Sequence, residues 1–154
     1  MKITSLIANH IREVYEGNNW TDVDIAATVK DLSWQEAVAQ TPASRNTIAS
    51  LLYHVKFYNE VVIQRLAGIS PEINDANGFD MPGLKDETDW KRLIGDAHQS
   101  FLKLSDAAEK FPEARLNETT PNGESSFYKT LHGVTEHAYY HLGQMVLLKN
   151  LIRK

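Results

Sequence analysis

The sequence contains no cysteine. This absence excludes disulfide bonds, thiolate metal ligands and a cysteine nucleophile, so any thiol chemistry needs a thiol that arrives as a cosubstrate. Long apolar runs are missing as well. No window approaches the roughly 20 apolar residues that span a bilayer, and the opening segment "MKITSLIANHIREVY" has no signal-peptide core. The sequence therefore predicts no membrane segment, and the cytoplasm is the default location.

An excess of basic residues is also missing. The chain has 16 Lys and Arg against 20 Asp and Glu, a formal net charge of -4, and no predicted helix gathers a basic cluster. We therefore expect neither nucleic acid nor a membrane as a partner, which leaves a small-molecule substrate. With 42% hydrophobic and 23% charged residues, residues 1–154 are expected to form a single globular domain.

Apolar residues recur at three- and four-residue steps in four long segments, which is the period of an amphipathic helix. The predicted long helices cover residues 3–15, about 46–68, 90–108 and about 125–152. Ser33, with Glu36 three residues later, predicts a short capped helix between the first two. Because no segment alternates apolar and polar residues over strand length, the fold class is all-α, a four-helix bundle. Long connections between helices one and two and between two and three leave room for parallel neighbours.

Histidines are concentrated on two of these helices. His137 and His141 are four residues apart on the last helix, so both imidazoles can reach a single ion, and Gln144 lies beside them. His54, on the second long helix, offers a third imidazole. Three neutral imidazoles leave a coordination position open, as in a catalytic metal site. Histidines at this spacing also occur on helices that bind no metal, so spacing alone leaves packing as the alternative.

The remaining histidines have different predicted roles. His10 lies between apolar residues of the first helix, so it is predicted to face inward as a buried, hydrogen-bonded core histidine rather than a ligand or a proton-transfer group. His132 is predicted to project into solvent. Glu136 is predicted to point away from the histidine cluster. His98 is assigned no role.

Two segments of the sequence resemble the DinB/YfiT-like superfamily. They are "TIASLLYHVKFYNEVVIQRLAG" (47–68) and "HGVTEHAYYHLGQMVLLKN" (132–150). The shared pattern is a histidine on the second long helix, followed on the last helix by H-x-x-x-H ahead of a Gly-Gln dipeptide. Its most specific part here is Tyr140, His141, Gly143 and Gln144. The segment 20–54 is similar to the lead-in of that superfamily, so the resemblance covers most of the chain.

The resemblance implies a four-helix bundle, often a homodimer, whose three histidines bind a divalent metal, zinc or nickel, in a cleft near one end. Carried over to this sequence, the ligands are His54, His137 and His141, and all three positions are intact. Members with a known chemistry are thiol-dependent S-transferases that use bacillithiol or mycothiol, or a maleylpyruvate isomerase. Many other members are described only as metal-dependent hydrolases.

Two classes of function remain open from the sequence. In the first, the chain is an enzyme whose ion activates a low-molecular-weight thiol, as an S-transferase, or a water, as a hydrolase. Tyr58, Gln144 and His10 are its candidate catalytic assistants, and the loops 68–89 and 113–125 are expected to ring the cleft and select the substrate. In the second, the chain is a noncatalytic dimeric stress or binding protein with a structural or vestigial metal site.

Overall fold

The computed structural model describes residues 2–154, which form helices joined by turns and loops and contain no β-strand. The four long helices are α1 (Ile3–Glu16), α4 (Ile48–Leu66), α5 (Glu87–Lys110) and α6 (Phe127–Ile152). Two short helices, α2 (Ile25–Val29) and α3 (Trp34–Ala37), connect α1 to α4, and a 3₁₀ turn at Glu113–Arg115 follows α5. The predicted all-α fold with four long helices is confirmed.

Side-chain caps set where the helices begin. The Ser33 hydroxyl accepts from the Glu36 N–H, and the Glu36 carboxylate accepts from the Ser33 N–H, which is the reciprocal cap predicted for α3. Thr47 and Ser50 cap α4 in the same reciprocal way. Asp86 accepts from the Asp89 N–H and starts α5 earlier than the apolar pattern indicated, because the first turn of that helix is acidic and polar.

The long helices surround a shared core in the order α1, α5, α4, α6. Tyr15, near the end of α1, donates to the Ile94 carbonyl, near the start of α5, so these helices are antiparallel. α4 and α5 run in the same direction, since Tyr53 lies beside Leu93 early in both helices and Ile63 lies beside Ala107 late in both. The long connection 67–86 therefore joins parallel neighbours, and α4 and α6 are adjacent and antiparallel.

The prediction that His10 is buried is wrong: its side chain is exposed, and its ring lies against Tyr139 with the ring centroids 5.7 Å apart. The buried face of α1 includes the small residues Thr4 and Ala8, which let α1 approach α5 closely enough for Ser105 to donate to the Ala8 carbonyl at 2.9 Å. This contact turns the apolar edge of α1 outward and leaves Ile3 and Leu6 52% exposed beside His10.

None of the helices formed by residues 2–154 is both long enough and apolar enough to cross a bilayer. This finding agrees with the lack of long apolar runs in the sequence.

An exposed ion-pair network ties the end of α6 to the α2–α3 segment. Arg153 pairs with Glu36 at 2.8 Å and with Asp31 at 2.7 Å, and Lys149 pairs with Asp31 at 2.5 Å. The hydrogen bond from Arg153 and the backbone N–H of Ser33 lower the pKa of Glu36 from 4.5 to about 2. The network therefore favours the charged form of this carboxyl in the folded state.

Replacing Glu36 with Gln should destabilise the fold at neutral pH but not at low pH. A carboxyl whose pKa is lowered by folding contributes stability that is complete above its unfolded pKa, 4.5, and is lost as the pH falls through about 2. Gln can still complete the α3 cap, so the change isolates the charge. Urea unfolding at a series of pH values measures the difference from the wild type. A destabilisation that stays constant from pH 7 to pH 2 would contradict this assignment.

Candidate metal centre

The centre lies between α4 and α6, at the level where His54 meets His137 and His141. The Nε2 atom of His137 is 3.0 Å from Nε2 of His54 and 3.0 Å from Nε2 of His141. One ligand atom from each residue lies within 4.8 Å of the others. Tetrahedral zinc with Zn–N bonds of about 2.0–2.1 Å separates its nitrogen ligands by about 3.3 Å. A first-row divalent cation therefore fits among these atoms with only small movements.

Two of the imidazoles have their tautomers fixed by acceptors on their outer side. Nδ1 of His54 is 2.9 Å from the Asn77 carbonyl oxygen, and Nδ1 of His141 is 2.6 Å from Oε1 of Gln144. Because both partners accept, both Nδ1 atoms carry the proton, and both Nε2 atoms present a lone pair to the centre. A proton on Nε2 of His137 can satisfy only one of these lone pairs. The neutral cluster thus leaves an acceptor unpaired, and a cation at the centre satisfies all three Nε2 atoms.

Burial keeps these imidazoles in the neutral form that binds metal. His54 and His141 are 3% and 7% exposed, and His137 is half-buried. Burial, with the nearby His141, lowers the pKa of His54 to about 4. Burial lowers the pKa of His137 to about 3 and also lowers the pKa of His141. At neutral pH the three side chains therefore carry no charge that a cation would have to displace.

The loop between α4 and α5 closes one side of the centre. Phe79 stacks on the His54 ring, with centroids 4.0 Å apart and planes at 13°, while Asn77 holds Nδ1 of the same ring. The Tyr58 hydroxyl donates to the Asn77 side-chain oxygen and so fixes the loop to α4. Gly78 has φ +75 and lies so close to Phe57 that an added Cβ would be 2.5 Å from Cδ1 of that ring. The loop can therefore reach His54 because residue 78 has no side chain.

A cavity of about 300 Å³ opens beside His137, along the groove between α4 and α6. Its lining on α4 comes from Tyr58, Val62 and Arg65. Its lining on the other side comes from Ser125, Lys129, Thr130, Gly133, Val134, Glu136 and His137. One end of the cavity therefore borders the histidine cluster, where a small molecule would meet the open side of a bound cation.

The structure brings most of the candidate site residues together. His54, His137 and His141 form one group, Gln144 bonds to His141, and the Tyr58 ring lies edge-on to His137 with centroids 4.9 Å apart. His10 is not in this group. It contacts Tyr139, which is two residues from both His137 and His141 and so projects from the opposite side of α6.

One other prediction about α6 needs correction. His132 is not fully solvated, because its ring is half-buried against Tyr128 with centroids 4.4 Å apart. Glu136 is exposed and does not belong to the histidine group, although it lines the cavity beside His137.

Sequence reasoning missed Asn77, Phe79 and Arg65. The Asn77-Gly78 dipeptide is a strong turn signal, and both residues have positive φ, yet a turn signal does not say which helix the loop contacts. Arg65 lies on the same face of α4 as His54, eleven residues on, which the helical period would have revealed. Ser125 belongs to the loop 113–125 that was expected to border the cleft.

Comparison with known families matches residues 19–145 to the sequence model of the DinB superfamily. The matched range contains all three clustered histidines, the whole of α4, and α6 as far as residue 145. No curated protein matches the chain.

Replacing Gly78 with Ala should weaken zinc binding without unfolding the bundle. The new Cβ would collide with Phe57, so the loop must shift and the Asn77 carbonyl must leave His54. Loss of a partner that orients a ligand costs about 10–100-fold in metal affinity. Gly83→Ala is the matched control, because a Cβ at Gly83 of the same loop meets nothing within 4 Å. Zinc competition titrations that give both variants the same affinity would rule out this role of the loop.

Proposed function

Since this chain belongs to the DinB superfamily, we propose that it is a metal-dependent enzyme in which His54, His137 and His141 hold one divalent cation, zinc or nickel. The observation that carries the proposal is the convergence of three neutral imidazole Nε2 atoms between α4 and α6. Hydrogen bonds on the outer nitrogens of two of these rings support it, because histidine ligands in proteins are commonly oriented in this way.

The ligand set favours catalysis over a structural role. Among residues 2–154 the group of metal-binding side chains has three members and includes no Asp, Glu or Cys. Three protein ligands leave a fourth position for a substrate atom, whereas structural zinc sites use four. A divalent cation bound there supplies the acidity that makes a thiol or a water nucleophilic near neutral pH. The cavity beside His137 gives that position access to a small molecule.

The reaction we propose is transfer of a low-molecular-weight thiol to an electrophile. The thiol loses its proton to water and a sulfur–carbon bond forms. The bond from that carbon to the leaving group, or to the oxygen of an epoxide, breaks, and the leaving atom keeps the bonding electrons. Because the chain has no cysteine, it cannot supply the sulfur itself. Gln144 would act as a positioning residue through Nδ1 of His141, and Tyr58 as a positioning residue through Asn77. His10 has no part in this proposal, because its ring lies on the far side of α6.

Metal content gives the first test. Protein purified without an affinity tag should contain one divalent cation per chain, and His54→Ala, His137→Ala and His141→Ala should each lose it, because two imidazoles bind far more weakly than three. His132→Ala, on the same helix but outside the cluster, is the control and should keep its metal. Elemental analysis measures all five proteins. Retention of metal in all three cluster variants would contradict the proposed ligands.

Turnover gives the second test. The metal-loaded protein should consume a low-molecular-weight thiol together with a haloaromatic compound or an epoxide, and His54→Ala should reduce the rate to that of the solution reaction. Ester and amide substrates form a parallel panel, because a water uses the same three ligands. Turnover of the ester and amide substrates alone would contradict thiol transfer and support hydrolysis. No turnover above His54→Ala in either panel would reject an enzymatic role of these classes.

A further inference from the structure

The cavity beside His137 is also lined by polar side chains that lie outside the histidine cluster. On α4, Arg65 follows Tyr58 by seven residues and lies on the same face, about 10 Å further along the helix. Lys129 and Ser125 line the cavity from the start of α6 and the loop before it. The groove therefore runs from the histidines at one end to two basic side chains.

Several of these groups are buried without a partner. Nε of Arg65, Oγ of Ser125 and Nδ1 of His137 are inaccessible to solvent and form no hydrogen bond with residues 2–154. All three residues line this one cavity. Buried polar atoms without partners are rare, and each costs free energy unless a ligand or a water satisfies it. Because the Arg65 Nε–H and the Ser125 hydroxyl are donors on opposite sides of the cavity, the lining suits a molecule with hydrogen-bond acceptors.

The charges of the lining indicate the sign of that molecule. Arg65 and Lys129 are cationic and Glu136 is anionic, so the formal charge is 2 − 1 = +1 with the histidines neutral. Within residues 2–154 neither Arg65 nor Lys129 forms a salt bridge. A singly charged carboxylate matches this balance of charge, and the fork of a guanidinium can bind both of its oxygens.

The backbone N–H groups at the N-terminus of α6 do not cause the preference of the cavity for an anion. The backbone N–H groups of Phe127, Tyr128 and Lys129 already donate to Glu118, Leu116 and Ser126. The first turn of the helix therefore offers these donors to no ligand, and recognition rests on the side chains of Arg65 and Ser125.

We propose that this cavity binds the carboxylate end of the substrate or cosubstrate, with Arg65 as its ion-pair partner and Ser125 as a hydrogen-bond donor. The proposal rests on the proposed function in one respect, that the other end of the same molecule reacts at the histidine cluster. The groove has free space beside Gly133, since a Cβ there would meet nothing within 4 Å. The volume of about 300 Å³ corresponds to roughly ten water molecules, which suits a short ligand.

Binding of short probes tests this assignment independently of turnover. Hexanoate and hexanol differ only in the end group, so their dissociation constants, measured by NMR titration with Arg65 Nε–H as reporter, isolate recognition of the carboxylate. Hexanoate should bind about tenfold more tightly than hexanol, the size of a charge-assisted hydrogen bond. Arg65→Gln should abolish this difference when backbone amides of the cavity are the reporters, and Ser125→Ala should reduce it.

Three further variants separate effects on the cavity from general effects of mutation. Gly133→Leu should block both probes while favouring the helix, and Gly95→Leu, at an open position on α5, should leave both unaffected. Arg45→Gln removes an exposed charge outside the cavity and is the control for Arg65→Gln. Equal binding of hexanoate and hexanol, or an Arg65→Gln variant that retains their difference, would overturn the proposal.

Two more comparisons complete the test. Hexyl phosphate that binds tenfold more tightly than hexanoate would also overturn the choice of a carboxylate. Hexanoate binding is measured with and without zinc. It therefore tests recognition of a carboxylate by the cavity even if the protein binds no metal. Mercaptohexanoate reports on the proposed function separately, because a thiol that reaches the cation should bind the zinc-loaded protein more tightly than hexanoate does.

Discussion

The contact between α4 and α6 is the feature on which the rest of the site depends. Antiparallel packing places His54 opposite His137 and His141, so that three Nε2 atoms converge although His54 and His137 are 83 positions apart in the chain. Neutral imidazoles with fixed tautomers cannot satisfy one another there, because too few protons are available for the lone pairs. The bundle holds this unfavourable cluster in place with a large apolar core that does not include the histidines. A bound cation would remove the cost of the unpaired nitrogen, and this gain in free energy would favour metal binding.

The loop between α4 and α5 and the groove between α4 and α6 border the histidine cluster on two different sides. The crossover between the parallel helices α4 and α5 passes over His54, where Asn77 and Phe79 fix the ring and shield it. On the other side, the groove between α4 and α6 stays open at Gly133 and ends at Arg65 and Ser125. One wall of the centre is therefore closed by the protein and one remains for a ligand. This asymmetry agrees with a site that exchanges small molecules, since a purely structural ion is enclosed on all sides.

The parts predictable from sequence are those that depend on local spacing. The cap at Ser33, the four long helices and the shared face of His137 and His141 follow from spacings of three and four residues. The exposure of His10 could not be predicted, because the orientation of α1 depends on how closely Thr4 and Ala8 allow it to approach α5. The pairing of α4 with α6 and the path of the loop over His54 are also set by tertiary packing, so the sequence could not show that Asn77 contacts His54.

X-ray absorption spectroscopy of the zinc-loaded protein tests the central claim most directly, because it counts and identifies the atoms bound to the ion. The account predicts three imidazole nitrogens at about 2.0–2.1 Å and one further light ligand that is not a protein side chain. Addition of mercaptohexanoate should replace that light ligand with sulfur at about 2.3 Å. A spectrum with four protein ligands, or with fewer than three imidazoles, would contradict a three-histidine centre with one open position.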